Sequence, residues 1–212
     1  MTTPETVPAA GGVQWKRFGG AIALTGVVTA GLVAMTASGV LAANFSISGM
    51  PFTVTATNLH GDGFEQYATI DNMIENSPNC TPDNGCQELV IVSAINQAQL
   101  TNLCQSVSLG GVNLKITAGD NGNKVQARAL VVDSDLISGD ADFANINVGQ
   151  DASTFNKVTD PATGKAIKGG EGVFGQQADT VDINNLRQNN YATTAARFTL
   201  PHLRMAFTSS GC

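Results

Sequence analysis

Four cysteines, two histidines and one dense run of aspartates are the residues of this chain with distinctive chemistry. Cys80, Cys86, Cys104 and Cys212 form an even set, which in an exported protein points to two disulfides with three possible pairings. Cys80 and Cys86 flank Thr-Pro-Asp-Asn-Gly, a turn-rich stretch that brings its own ends together. A local Cys80–Cys86 staple is therefore expected, with Cys104 closing onto Cys212 to tie down the C-terminus. Zinc is the rival use of the thiols, although the spacing is not C-x2-C and neither histidine lies close in sequence. Asp133, Asp135, Asp140 and Asp142 place four carboxylates within ten residues, followed by Asn145, Asn147 and Asp151. Such oxygen-rich runs can hold calcium. On a strand, residues two apart share a face, so Asp133 and Asp135 could chelate together. The EF-hand pattern is absent, and the plainer reading is a solvated strand face joined to a Ser-Gly-Asp turn. Paired catalytic carboxylates would need a cleft and a perturbed pKa.

Nucleophilic catalysis finds less support. A serine hydrolase of the α/β type shows Gly-x-Ser-x-Gly at a strand-to-helix elbow, and no serine here sits in that context. A triad also needs a histidine base. His60 lies in a glycine-rich turn and His202 follows a proline, so both read as surface histidines. Gly169-Gly170-Glu171-Gly172 lacks the Gly-Lys-Ser/Thr of a phosphate loop and reads as flexible. Gly175-Gln176-Gln177 offers amides to a sheet edge. No catalytic residue and no cofactor is expected.

The elements that would position these residues are legible in the patterning. The chain has 212 residues, and its 13% charged content compares with about 25% in an average soluble domain. The net charge of −6, with Lys and Arg scattered, excludes the basic patch of a nucleic-acid binder. Lys16 and Arg17 precede an uncharged apolar run, residues 18–43, that would extend roughly 39 Å as a helix. That spans a hydrocarbon core of about 30 Å with tilt, and the basic flank places residues 1–17 in the cytoplasm. An uncleaved single-pass anchor and a cleaved signal with Val40-Leu41-Ala42 at its end are the two readings. Either way residues 44–212 form one extracytoplasmic domain.

That domain reads as mostly β. Phe52, Val54 and Ala56 alternate with threonines, as do Val112, Leu114, Ile116 and Ala118 with polar residues, then Val125 to Val131 and Leu203, Met205 and Phe207. Leu89–Ile95 reads as a strand buried on both sides, and 94–103 as the single short helix candidate. Gly119 to Asn123 reads as a hairpin loop between two alternating runs, and 160–170 as an exposed loop. Asn followed by Leu or Ile recurs at Asn58, Asn102, Asn145 and Asn185, spaced by 44, 43 and 40 residues. A sandwich or barrel is expected first, and a β-solenoid or elongated sheet stack second.

Several stretches resemble, in combination, a family of exported actinobacterial proteins. They are Trp15-Lys-Arg-Phe, Phe45-Ser-Ile-Ser-Gly with Pro51-Phe-Thr-Val, Leu100 to Val107, Asn145 to Thr154, Phe174 to Asp179 and Ala192-Thr-Thr-Ala. Members of that family are uncharacterised and often carry an automatic label of cholesterol esterase. The resemblance implies a secreted or membrane-anchored protein and transfers no catalytic residue. The segment around Cys80 and Cys86 departs from the family pattern. The expected function is a non-enzymatic binding or structural role at the cell surface, with a lipid or another membrane protein as partner. Lipid ester hydrolysis and a calcium-stabilised surface module are the alternatives.

Overall fold

The computed structural model describes residues 47–212. The segments expected at 1–17 and 18–43 lie outside the described residues. The alternating runs form nine strands: β1 (Phe52–Asn72), β2 (Gln87–Thr101), β3 (Leu103–Ser108), β4 (Asn113–Ala118), β5 (Val125–Ala144), β6 (Asn147–Asp151), β7 (Phe174–Thr194), β8 (Arg197–Thr199) and β9 (Arg204–Thr208). A single 3-10 turn, Ala152–Thr154, follows β6. The named strands join one sheet, and every pairing between them is antiparallel. One sheet is not the two facing layers of a sandwich, and antiparallel pairing is not the parallel stacking of a solenoid.

β1 organises the sheet. Along one edge it pairs with β2 from Asn58 to Asn72 and with β3 from Thr53 to Thr55, in one continuous register. Along the other edge it pairs with β7 from Phe52 to Tyr67. β7 also pairs with β5, and β5 with β2, so the circuit β1–β2–β5–β7–β1 returns to its start. The apolar interior lies inside this circuit in cross-strand rows. Ala178, Phe64, Ile95 and Leu130 stand opposite one another, as do Ile183, Leu59, Leu100 and Val125.

These rows explain why 94–103 resembles a helix and is a strand. The inward residues of β2 run Ile95, Ala98, Leu100, with one step of three where the strand changes which face points inward. β1 makes the same step from Gly61 to Phe64, β5 from Ala127 to Leu130 and β7 from Ala178 to Val181. All four steps fall at one level of the sheet. Gly63 (φ 68°) and the fully buried Ala129 (φ 47°) supply left-handed residues there. A single such step leaves an i, i+3 spacing in the sequence. The asparagine recurrence has a related origin. Asn102 between β2 and β3, Asn145 between β5 and β6, and Asn185 within β7 all take left-handed φ of 52–55°. Asparagine tolerates that region better than most side chains.

Two further expectations are corrected and a third is refined. Leu89 is 67% exposed, and two-sided burial starts at Val90. Gly119–Asn123 does not close a hairpin, because β4 pairs with β3 and β9 while β5 pairs with β2, β7 and β8. The exposed loop expected at 160–170 is a loop and is exposed over most of its length, but it is anchored at the buried Asp160 and Ile167 as part of a longer flap, 155–173. Phe155, Val158 and Ile167 are buried on the outer sheet face against Tyr67, Val90, Val92 and Ala94. Within it Asp160 is 4% exposed, accepting bonds from the Ala162 N–H and the Thr163 hydroxyl.

Candidate functional site

The structure disperses the aspartates of β5. A strand of even period would align Asp133 with Asp135, but irregularities in the β5–β7 register fall between Asp133 and Leu136 and again before Asp140. Asp135 accepts both of its bonds from the Asn189 amide, at 2.8 and 3.0 Å. Asp140 accepts from Asn185 at 3.1 Å, and Asp142 stands opposite Asp182 of β7. Asp133 points to the outer face and meets Asp71 instead. Among the described residues, no three His, Cys, Asp or Glu side chains converge as a metal site would require.

Both histidines are paired with carboxylates. His60 Nδ1 lies 2.9 Å from Asp182 Oδ1, and its Nε2 is 3.7 Å from Asp62. His202 Nδ1 lies 2.6 Å from Asp120 Oδ1. An imidazole oriented by an aspartate is the rear half of a triad. Here both nitrogens of His60 face carboxylates, where a triad would set a nucleophilic hydroxyl before one of them. The cysteines stand at disulfide distance as two pairs, Cys80 with Cys86 and Cys104 with Cys212.

Sequence reasoning named only Asp133 of a titratable cluster on the outer face, of which Glu65 and Tyr67 lie under the flap. Glu65 is fully buried, and its Oε1 accepts the N–H groups of Lys157 and Val158, while Oε2 has no hydrogen-bond partner among the described residues. Burial pushes its carboxyl up to about 7 against the pull of those two N–H donors. Two residues along, Tyr67 shares the face, and burial followed by the charges of Asp133, Glu65 and Asp71 raises its phenol to about 12. Burial, then the Asp71 charge, lifts Asp133 to about 7, and Asp71 is also raised by burial. Asp71 Oδ2 has no donor among the described protein groups, which a proton shared with Asp133 would satisfy. The usable signal was parity: positions 65, 67 and 71 share one strand face. The flap above is an irregular segment with no period to read. Its tight seat shows at Gly175, where a Cβ would collide with the Phe155 ring, and at Gly169, where one would press on the Tyr67 ring.

The interior offers no ligand chamber. Its apolar cavity, lined by Phe64, Leu130, Ile137 and Ile183 among others, holds about 30 Å³, room for roughly two waters. Exposed apolar surface lies elsewhere, on the ribbon of β3, β4 and β9 that extends past the circuit. Pairing puts Val107, Leu114 and Phe207 in one row and Gln105, Ile116 and Met205 in the next. Phe207 is 69% and Met205 58% exposed. The alternation read from the sequence is present, but in this ribbon the apolar face is uncovered along β9 and only half-buried at Val107, Leu114 and Ile116. It can adhere to an apolar surface and has no group for acid–base work.

Comparison with known proteins adds a family. The family described as "Family of unknown function (DUF6230)" matches residues 48–212. No curated protein and no solved structure matches the chain.

Proposed function

Since the chain belongs to the DUF6230 family, whose function is unknown, we propose from its own geometry that it is a non-enzymatic β protein of the cell surface, binding through an exposed apolar face. Residues 18–43 carry the domain across a membrane, as anchor or as cleaved signal, and 44–212 act outside. The observation that carries this reading is the combination of a filled interior with a ribbon whose apolar face is uncovered along β9. A lipid hydrolase needs a cleft that admits an acyl chain beside its nucleophile and base; neither the interior cavity of about 30 Å³ nor the surface cleft of about 330 Å³ beside Gln97, Gln126 and Arg128 is lined by His60 or His202.

One observation favours the hydrolase alternative, the His60–Asp182 contact at 2.9 Å. The two readings separate on p-nitrophenyl esters of short and long acyl chains. The purified full chain is expected to give no turnover above the uncatalysed rate. Turnover that His60→Ala or His202→Ala abolishes would establish an enzyme and end the non-enzymatic reading.

A further inference from the structure

We propose that the apolar face of the β3–β4–β9 ribbon docks onto a lipid bilayer bearing anionic headgroups. This deepens the cell-surface reading and rests on it. Four observations select a bilayer as the occupant.

The first is which side of the ribbon is free. The polar side is already covered by the C-terminal tail. Cys212 is joined to Cys104, its N–H donates to the Ser106 hydroxyl at 2.9 Å, and Lys115 Nζ donates to the Gly211 carbonyl at 3.4 Å. Asn113 donates to the Ser209 carbonyl. The tail thus leaves uncovered the apolar side, which continues the inner sheet face of Val54 and Leu103 past the core, with Phe207 and Met205 more than half exposed.

The second is reach. The turn joining β3 to β4 carries Leu109 and Val112, both exposed, at the far end of the ribbon. Gly110 and Gly111 between them have positive φ and no side chain to obstruct an approach. Tip and face form one continuous apolar edge.

The third is charge. The chain holds 17 Asp and Glu, yet none falls in 103–118 or 203–212. The only charged side chains of those segments, His202 being outside them, are Lys115 and Arg204. They sit on the polar side, opposite each other's strands at the Thr117–Arg204 and Lys115–Ala206 pairs. One sheet thickness keeps them within a Debye length, about 10 Å at 0.1 M salt, of a surface met by the apolar side. An acidic protein thereby presents to an anionic surface two segments that carry Lys115 and Arg204 and no Asp or Glu.

The fourth is size. A stable protein–protein interface takes about 20–30 residues on each side. This face supplies five apolar side chains and the two at the tip, too few for a stable dimer and sufficient for shallow insertion.

The test uses the full chain, reconstituted in vesicles of phosphatidylcholine and phosphatidylglycerol. Trp15, the only tryptophan, is replaced by Phe, and Phe207→Trp is introduced as reporter. Met205→Trp serves as a second reporter in case the first fails to fold. Phe174→Trp is the control: it is 66% exposed and lies about 40 Å away along β1. Phospholipids brominated on the acyl chain are expected to quench the Phe207 and Met205 reporters and to spare the control. Lys115→Glu with Arg204→Glu should weaken docking by about fivefold or more for each cation removed. Equal emission with brominated and plain lipid at both ribbon reporters would overturn the proposal. So would a reporter shift that follows protein concentration in lipid-free detergent solution, which would assign the face to a second copy. Histidine-dependent ester turnover removes the functional reading and leaves the quenching result standing; absent quenching without turnover removes the docking surface alone.

Discussion

Glu65 sets the pH response of the folded chain. Its carboxyl titrates at about 7 when folded and near 4.5 when unfolded, and Asp133 is raised to about 7 from 3.8. Between those values the folded state holds protons that the unfolded chain has released. Stability therefore falls as pH rises through roughly 4 to 7 and levels off above. Asp151 and Asp179 act oppositely, since N–H donors and Lys157 hold them below the usual value, so their contribution is lost only as pH falls below about 4. Denaturant midpoints should be higher at pH 5 than at pH 8. Glu65→Gln should raise the pH 8 value, by roughly 3 kcal/mol at most, and shrink the difference. An unchanged pH profile in that variant would show that the buried carboxyl is not the source. Ala129 is a second single-residue pivot, fully buried at φ 47°. Ala129→Val should cost more than about 2 kcal/mol in urea unfolding, because a β-branched side chain is an outlier in that region and the interior has no room for it.

Among the elements, the flap over the outer face shows how a segment without period becomes core. Phe155 is fully exposed to no solvent and its ring lies 6.2 Å from that of Tyr67. Phe155→Ala should cost about 3–5 kcal/mol if the flap is integral to the fold, and should open 155–173 to limited proteolysis before global unfolding. Cleavage that tracks only global unfolding would show that flap and sheet do not separate. The same scale explains what the sequence disclosed. Strict alternation made β4, β9 and the first residues of β1 readable, since period two has one structural meaning, whereas the glycine-rich stretch at His60, read as a turn, lies inside β1. It did not say which apolar faces would be covered, because cover comes from distant segments. Val90 and Val92 are buried by Phe155 and Ile167, whereas Met205 and Phe207 have no described counterpart. The face switch through Ile95 and Ala98 imitated helical spacing for the same reason: it is a property of four strands together. Glu65 was overlooked because an isolated acid on a strand ordinarily faces water.

For the whole molecule, the Cys104–Cys212 pair spans 108 residues and holds the tail on the ribbon. Cys104→Ser with Cys212→Ser should lower stability by about 4–5 kcal/mol on the chain-entropy account. It should also free the polar ribbon side, read as faster amide exchange at Ser106 and Lys115. A loss below 1 kcal/mol would mean the tail is held by its hydrogen bonds alone. The closed pairing circuit carries a consequence for biogenesis. β1 draws half of its partners from β7, with His60 and Asp182 separated by 122 positions. β1 can pair with β2 as soon as both are made, but the circuit cannot close before β7 is available, and such distant pairing is slow to form. The circuit thus stays open until β7 has left the ribosome.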